Sequence, residues 1–393
     1  MAQYTTEVLP VRREDIVFAP GAALPTIDPA TETAKNLQRA VDLILDGSAP
    51  LAVPTETVYG LGASALSTDA VRQIFRVKNR PSDNPLIVHV SSAQQIRDVL
   101  RLDVPAIYEP VLAALWPGPL TIIVPLPADP ADVVVSPACT PGQNTVGVRM
   151  PSDVVARAVI ALSNTPIAAP SANASTRPSC TTAGHVLHDH DGRIPLILDG
   201  GPCTVGVEST VLDGTVSPPV VLRPGGVSVE QIRAVGGPAW RDVVVARKTE
   251  AGKNEAVRTP GMKYRHYSPT ARVVLFVGEP AGADGGAAVV GRYLDSLPAG
   301  ARKIGLLTSA TFDYALWPPA ARDRITWPEE LGRTGADISR NLFAKLREID
   351  ERGADVILVE GVGDEAEGLA IMNRLRKAAS EIFEAGTHTV KAA

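Results

Sequence analysis

Short apolar runs with strand character alternate with helical stretches along most of this 393-residue chain, and this alternation constrains its fold most strongly. Several of the runs have prolines at their ends, so we expect an open, twisted, mixed sheet with helices rather than a purely parallel sheet. The strands predicted before residue 245 are Leu51–Val53, Leu86–Val90, Leu120–Val124, Thr145–Arg149, Pro166–Ala169, Leu196–Leu198, Ser209–Leu212 and Val220–Leu222.

The alternation starts again near residue 271 and becomes more regular. Strands alternating with helices imply parallel crossovers, which predicts a smaller Rossmann-like α/β domain. The predicted elements are strands Val273–Val277, Ile304–Thr308 and Val356–Glu360, and helices Ala287–Leu297, Asp337–Arg352 and Leu369–Glu384. We divide the chain into an N-terminal extension (1–32), a first α/β domain (33–245), a linker or lid (246–270) and a C-terminal domain (271–393).

Composition narrows the class of protein. With 45% hydrophobic and 21% charged residues, the chain is typical of soluble globular proteins, and its net charge of −5 argues against a broad basic face for nucleic acid. Its three cysteines include no C-x-x-C pair, which favours a reducing compartment over a disulfide framework. No signal peptide and no apolar run of membrane-spanning length occurs, so we expect a cytoplasmic protein without membrane contact.

One predicted helix carries a cation on its apolar face. Val71, Ile74, Phe75 and Lys78 occupy the i, i+3, i+4 and i+7 positions of that face, and Arg80 follows where prolines end the helix. One interpretation is that Lys78 extends its ammonium to water at the helix end. The other is that Lys78 and Arg80 together build an anion site.

Two further motifs resemble ligand sites but are weak evidence for them. The sequence GLGASA from Gly60 matches a dinucleotide-binding pattern, but the following helix begins too late to hold a pyrophosphate, so we expect no nicotinamide or flavin site. His185, His188 and His190 alternate with acidic residues at a predicted helix end. Solvated caps are more common there than metal ligands.

Polar side chains follow several predicted strands at their ends. Arg149 and Arg223 each end a strand, and the polar residues Ser171, Asn173 and Ser179 follow another. In open α/β sheets ligands bind beyond the carboxyl ends of strands, and arginine suits carboxylates and phosphates. Together with the two cations at the helix end, these residues predict one shared anionic ligand.

Six motifs occur in order and together resemble the YrdC-like threonylcarbamoyl-AMP synthases. They cover about residues 35–245: PTETVYGLG (54–62), KNRP (78–81), NPLIVH (84–89), SAN (171–173), VESTV (207–211) and LRPG (222–225). The sequence PGMKYRHYSP (260–269) resembles the linker of the long, two-domain form. The resemblance therefore implies a YrdC-like domain followed by a Rossmann-like domain, and it covers nearly all of the chain after the extension.

The resemblance also implies a reaction. Members of this family join L-threonine, bicarbonate and ATP into threonylcarbamoyl-AMP and pyrophosphate, and the product serves threonylcarbamoyladenosine formation on tRNA. The threonine amine captures carbon dioxide as a carbamate, whose oxygen attacks the α-phosphorus. Such a nucleotidyl transfer needs fixed cations and Mg²⁺ with the ATP. The implied partners are the substrates and the downstream tRNA threonylcarbamoyl-transfer machinery, with a transient tRNA contact left open.

Site residues are carried over from the family onto matching positions. The catalytic set is Lys78, Arg80, Ser171 and Asn173. The expected ATP contacts are Arg80, Asn84, Thr145, Ser171, Ser179, Arg223 and, from the linker, His266 and Tyr267. The expected threonine contacts are Thr57, His89, Arg149 and Ser209. The KYRHY strip can act as a lid, and the alternative is a plain interdomain spacer.

Two other functions remain as alternatives: an RNA-binding module that uses the converging cations, and a nucleotide-binding regulator without turnover. The acidic net charge argues against the first. The sequence leaves open the oligomeric state, the role of the extension, the ligand or partner of the C-terminal domain, and the metal ligands.

Overall fold

A computed structural model describes residues 4–246, 266–278, 286–297, 303–384 and 387–390. The chain divides into a first unit, Met1–Ser175 with Ser179–Tyr264, and a second unit, Thr176–Pro178 with Arg265–Ala393. Most of the predicted linker, residues 247–265, lies outside the described residues.

The first unit contains one mixed sheet. Its strands are β1 (Glu7–Pro10), β2 (Leu51–Val53), β3 (Gly60–Ser64), β4 (Val88–His89), β5 (Leu120–Pro125), β6 (Thr145–Arg149), β7 (Ile167–Ala168), β8 (Leu196–Asp199), β9 (Thr210–Asp213), β10 (Val220–Arg223) and β11 (Val244–Val245). They are ordered β1-β8-β2-β3-β7-β4-β6-β5-β9-β10-β11. The β5–β6 and β9–β10 pairs are antiparallel, whereas β4–β6 and β5–β9 are parallel. The prediction of a mixed sheet is confirmed.

Seven helices accompany this sheet among the described residues of the first unit: α1 (Glu32–Asp46), α2 (Thr68–Lys78), α3 (Ala93–Asp98), α4 (Glu109–Leu115), α5 (Val154–Leu162), α6 (Ala183–His190) and α7 (Val229–Val235). Short 3₁₀ turns lie at Arg13–Asp15, Ala106–Tyr108, Pro130–Asp132 and Pro238–Trp240. One apolar core combines α1 and α5 with β1, β2 and β8, through residues such as Leu37, Val159 and Leu198.

Local sequence explains where the helix that leads to the site begins and ends. The Ser67 hydroxyl accepts a hydrogen bond from the Ala70 N–H at 3.3 Å, which caps the start of α2. The helix ends at Lys78 because Asn79 adopts the left-handed conformation, with φ of 50°. This ending fixes the direction in which the chain leaves Lys78.

Among the strands that were absent from the sequence prediction, β1 lies at one edge of the first sheet and β3 lies in its middle. β1 comes from the predicted extension and pairs in parallel with β8, so residues 7–10 are part of the sheet. β3 is the GLGASA motif, and it runs antiparallel to β2. Its glycines suit close packing, because a Cβ at Gly60 would lie 3.2 Å from the Ala169 side chain. The dinucleotide pattern is therefore a strand.

The second unit has its own sheet, ordered β14-β13-β15-β12-β16-β17 and parallel except for the β16–β17 pair. Its strands are β12 (Arg272–Val277), β13 (Ile304–Thr308), β14 (Trp327–Glu330), β15 (Val356–Glu360), β16 (Glu381–Glu384) and β17 (Thr387–Val390). Its helices are α8 (Ala287–Ser296), α9 (Pro319–Arg322), α10 (Gly335–Glu351) and α11 (Glu367–Ala378), and a 3₁₀ turn lies at Tyr314–Leu316. The predicted Rossmann-like, mainly parallel domain is confirmed.

One predicted helix is wrong at its end. We expected helix as far as Glu384, but α11 ends at Ala378 and Glu381–Glu384 form β16. The Ser380 N–H donates to the Val273 carbonyl, which starts the pairing of β16 with β12. A free strand edge outweighs local helical preference here.

The part of the chain that the structure describes has no helix long and apolar enough to cross a membrane.

Candidate active site

Lys78 is buried, with 3% of its surface exposed, so its ammonium does not reach water. Nζ donates to the Ser171 carbonyl at 2.6 Å and to the Asn173 carbonyl. In return, the Ser175 hydroxyl donates to the Lys78 carbonyl at 2.6 Å. The structure therefore brings the K-x-R and S-x-N elements together, and the interpretation of Lys78 as a solvated surface cation is wrong.

Arg80 and Asn84 lie in the loop that follows α2. Arg80 is partly buried and donates from Nη2 to the Pro85 carbonyl at 3.5 Å. Asn84 is 1% exposed, and its Oδ1 accepts no hydrogen bond from any described residue. A buried acceptor without a donor is costly, and a ligand is one group that can satisfy it.

Arg149, the last residue of β6, is the centre of a buried polar cluster. Its Nη1 donates to the Thr57 hydroxyl at 2.9 Å, and its Nη2 lies 2.7 Å from the Glu56 carboxylate. Nε donates to the Gly118 carbonyl at 3.3 Å. The side chains of Arg149 and Glu56 are 4% and 6% exposed, so each charge needs the other.

His89 is the neighbour of Arg149 across the β4–β6 pair. Burial, and secondarily the positive charge of Arg149, lower the pKa of His89 to about 3. The imidazole is therefore neutral at neutral pH. It lines the cluster as a polar group without adding a second positive charge.

Ser209 connects two strands on the other side of the cluster. Its hydroxyl is 2.8 Å from the Thr121 hydroxyl, and Thr121 is the neighbour of Arg149 on β5. Arg223 on β10 donates from Nε and Nη2 to the Ser209 carbonyl at 3.2 and 2.9 Å, and from Nη2 to the hydroxyl at 3.1 Å. Gly225 allows this approach, because a Cβ there would lie 2.3 Å from the Glu208 carbonyl oxygen.

Ser179 is fully buried, and its hydroxyl donates to the Glu208 carboxylate at 2.6 Å. Glu208 immediately precedes Ser209 in the VESTV motif. Ser179 is thereby connected with the strand end that also holds Arg223.

A small cavity lies beside this cluster, and Thr145 lines it. Its walls are mostly apolar, and Gly147 keeps the space between Thr121 and Ile87 open. The lining residues are Pro85, Leu86, Ile87, Thr121, Ile123, Cys139, Thr140, Gln143, Thr145, Val146, Gly147 and Val211. Thr121 contributes both to the cavity and to the polar cluster, so the two are adjacent.

His266 and Tyr267 belong to the second unit. Tyr267 is 6% exposed, stacks on Phe343 with ring centroids 5.2 Å apart, and has the Arg374 guanidinium 5.9 Å from its ring. Their predicted nucleotide contact stays a prediction. The preceding residues of the KYRHY strip, 263–265, lie outside the described residues.

Sequence reasoning missed three polar residues of the site: Glu56, Thr121 and Glu208. Glu56 and Glu208 each stand directly before a predicted threonine contact, within motifs already singled out. Thr121 could have been found from strand alternation, because it shares a face with Ile123. Its pairing with Arg149 could not be found that way, because register is not written in a local pattern.

The histidine motif at the end of α6 has a different environment from the one expected. His190 is fully buried rather than solvated, whereas His188 is half exposed. Among the residues described, no group of three or more His, Cys, Asp and Glu side chains could hold a metal ion.

Comparison with known proteins identifies the family. A family profile described as telomere recombination matches residues 42–225, and one described as threonylcarbamoyl-AMP synthase, C-terminal domain, matches residues 227–380. The threonylcarbamoyl-AMP synthase of Schizosaccharomyces pombe is 48% identical over 382 residues, which cover 92% of each chain. The chain belongs to the threonylcarbamoyl-AMP synthase family. The Bacillus subtilis synthase is 42% identical over 358 residues, with 91% of this chain and 94% of that one covered.

A solved member of the synthase family has the same architecture. The crystal structure of Pyrococcus abyssi Sua5 with L-threonine matches with a TM-score of 0.78 and 39% identity. The match covers 95% of this chain and 97% of that chain. The resemblance that the six motifs predicted is thereby confirmed over both domains.

Proposed function

We propose that the polar cluster and the adjacent cavity of the first unit condense L-threonine, bicarbonate and ATP into threonylcarbamoyl-AMP, pyrophosphate and water. The synthase function follows from the family. The observation that carries the placement is the buried Arg149 guanidinium, set among hydroxyls and a neutral imidazole beside an apolar cavity. A buried guanidinium suits the carboxylate of an amino acid, and apolar walls suit the face of a nucleotide base.

Threonine binds at the Arg149 end in this proposal. The guanidinium pairs with the substrate carboxylate, while the hydroxyls of Thr57 and Ser209 and the ring of His89 contact the rest of the amino acid. The Pyrococcus abyssi structure contains L-threonine, which supports a threonine site in this chain. The neutral state of His89 suits an amine that must lose its proton before it captures carbon dioxide.

ATP lies along the cavity and the strand ends. Thr145 lines the cavity, and the other expected ATP contacts Asn84, Ser179 and Arg223 are buried. The carbamate oxygen forms a bond to the α-phosphorus, and the bond to the leaving pyrophosphate breaks. The reaction transfers an adenylyl group, so we propose a nucleotidyltransferase.

Lys78 and Arg80 act on the charge that builds up during this transfer. Preorganised cations in a buried site stabilise such charge without reorganising solvent. Lys78 is preorganised because the Ser171 and Asn173 carbonyls hold its ammonium. We assign Arg80 to the phosphates because it is only partly buried and lies in the loop after α2.

Mg²⁺ accompanies ATP in this proposal. The acidic residues closest to the site already have partners: Glu56 pairs with Arg149, and Glu208 accepts from Ser179. Triphosphate oxygens are therefore the natural ligands for the ion, which commonly keeps much of its own water.

Downstream, threonylcarbamoyl-AMP is a mixed anhydride that must be passed on before it hydrolyses. We propose that a tRNA threonylcarbamoyl-transfer machinery in the cytoplasm consumes it, with direct tRNA binding by this chain as an open alternative.

A three-substrate assay tests the proposed function. Pyrophosphate release should require threonine, bicarbonate and ATP together. Lys78→Ala and Arg80→Ala should each lower kcat by about 100-fold or more, the typical loss of one preorganised charge. Arg72→Ala is the matched control, because Arg72 is a cation on α2 whose side chain is 60% exposed.

Three outcomes would contradict the proposal. Pyrophosphate release that is unchanged without threonine would exclude the synthase reaction. ATP binding without any adenylate would indicate a regulator. Salt-sensitive RNA binding that is lost in the same variants, without turnover, would indicate the RNA-binding alternative.

A further inference from the structure

The peptide unit between Asn173 and Ala174 is held at both of its polar ends. Its carbonyl accepts from the Lys78 ammonium, and its N–H donates to the Asp189 carboxylate at 2.9 Å. Lys78 and Asn173 are 3% and 6% exposed, and the Asp189 side chain is 0% exposed. A positive charge and a negative charge thus face opposite ends of one buried peptide dipole.

Asp189 lies where a carboxylate is otherwise unfavourable. It is the second-last residue of α6, and a helix C-terminus favours cations. Burial of a carboxylate is costly unless hydrogen bonds and opposite charges compensate. The ring of His188, which is half exposed, lies 3.3 Å from the other carboxylate oxygen of Asp189.

The next residue, His190, adds no compensating charge. Burial, and then the ammonium of Lys78, lower the pKa of His190 to about 4, so its ring is neutral at neutral pH. The same influence shows that Lys78 lies within electrostatic range of this helix end. The end of α6 does not require an acid here, whereas the Ala174 N–H requires a hydrogen-bond acceptor at this place.

We propose that Asp189 is a positioning residue for the synthase reaction. By fixing the Asn173–Ala174 peptide, it keeps the Asn173 carbonyl, together with that of Ser171, directed at Lys78. Without Asp189 the peptide can rotate, so that an N–H replaces the carbonyl beside the ammonium and displaces it. Asp189 itself contacts none of the three substrates in this proposal, which rests on the role proposed above for Lys78.

Kinetics of three variants test this role. Asp189→Ala should lower kcat for pyrophosphate release by about 10- to 100-fold, the effect of a displacement near 1 Å. The threonine Kd should stay within about twofold, because Arg149 and its partners are held by other residues. Asp189→Asn should fall between Asp189→Ala and wild type, since its amide oxygen still accepts from Ala174 but carries no charge.

Asp191→Asn is the matched control. Asp191 lies two residues further along and is exposed, so its variant should keep wild-type kcat and threonine Kd. Asp189→Asn also keeps the comparison valid if Asp189→Ala does not fold. Wild-type kcat in both Asp189 variants would overturn the proposal.

A double-mutant cycle tests whether Asp189 acts through Lys78. Combining Asp189→Ala with Lys78→Ala should cost no more kcat than Lys78→Ala alone, since the positioned group is already gone. Fully additive losses would overturn the proposal, because they would mean that the two residues act independently.

Amide hydrogen exchange supplies a readout that needs no activity. Peptides covering residues 171–178 should exchange faster in Asp189→Ala than in wild type, and at the wild-type rate in Asp191→Asn. Unchanged exchange in Asp189→Ala would overturn the proposal that Asp189 holds the Asn173–Ala174 peptide. If the three-substrate assay fails in wild type while exchange responds as expected, the proposed reaction is wrong, but Asp189 does hold the Asn173–Ala174 peptide.

Discussion

Both units bury arginines, but they use them differently. In the first unit, Arg149 ends β6, Arg223 ends β10 of the same sheet, and both contact hydroxyl side chains beside a cavity. In the second unit, Arg347 on α10 donates from Nε and Nη2 to the Pro178 carbonyl at 2.9 and 2.6 Å, and Arg374 lies over the Tyr267 ring. Besides backbone carbonyls, the first pair contacts hydroxyl side chains that a substrate could replace, whereas the second pair contacts a backbone carbonyl and an aromatic ring.

Buried acids show the same contrast. Glu56 balances Arg149 in the first unit. In the second unit, Glu360 ends β15 and accepts hydrogen bonds from the Ser309 N–H and from the N–H and hydroxyl of Thr311. A carboxylate with three donors braces a loop. The comparison teaches that a buried charge at a strand end indicates a site only when its partners are exchangeable.

The largest expected effect that tests this contrast is at Arg149. Arg149→Lys keeps the charge but loses the planar fork, so we expect the threonine Kd to rise about 10- to 100-fold, with a further loss in Arg149→Ala. Calorimetry on the full chain measures the Kd. Arg97→Lys on α3, where the side chain is 73% exposed, is the control. Wild-type threonine affinity in Arg149→Lys would mean that Arg149 does not bind the threonine carboxylate.

Arg347 should affect stability without affecting threonine. Arg347→Ala leaves the Pro178 carbonyl without its donors and opens a cavity in a fully buried place, so we expect a loss of about 3 kcal/mol in unfolding free energy. Denaturant unfolding measures the loss. Arg340→Ala on the same helix, half exposed, should cost little. A tenfold rise of the threonine Kd in Arg347→Ala would break the distinction between the two uses of arginine.

The buried histidines of the first unit should make stability fall in acid. The pKa values of His89 and His190 are lowered to about 3 and about 4 from an ordinary 6.5, so below pH 6.5 the unfolded state binds protons that the folded state does not. Each histidine should cost about 1.4 kcal/mol per pH unit within that window and nothing above it.

The variant His190→Gln should flatten this slope, and His188→Gln, which changes a half-exposed ring, should leave it unchanged. Urea unfolding between pH 4.5 and 7.5 measures the slope. An identical slope in His190→Gln and wild type would mean that His190 is not buried as a neutral ring.

The smallest expected effect is at Thr121. Thr121→Val removes the hydroxyl that contacts Ser209 but leaves the Arg223 contact to Ser209 intact, so we expect the threonine KM to rise about fivefold, near 1 kcal/mol. Steady-state kinetics measures it, with the exposed Thr215→Val of the β9–β10 turn as control. A rise as large as that of Arg149→Lys would mean that Thr121 contacts the substrate itself.

The mixed sheet, the mainly parallel second sheet and the residue types of the site could be predicted from the sequence, because hydrophobic period, strand ends and ordered motifs are local. Other strands could not be predicted in this way. Glu381–Glu384 is short and mildly apolar, and the open edge of β12 decided that it is a strand. β3 was missed because glycines weaken strand propensity, although the close passage of β7 requires them.

Lys78 shows what the sequence alone determines and what requires the tertiary structure. By itself the sequence determined that a cation lies on the apolar face of α2, next to Arg80, in a chain with the motifs of one enzyme family. Only the tertiary structure decided that its ammonium is held by the loop at residues 171–173, that Arg149 pairs with Glu56, and that Asp189 holds the other end of the Asn173–Ala174 peptide. The physical reason is that these contacts join residues far apart in the chain, and the packing of helices, strands and loops sets them rather than any local pattern.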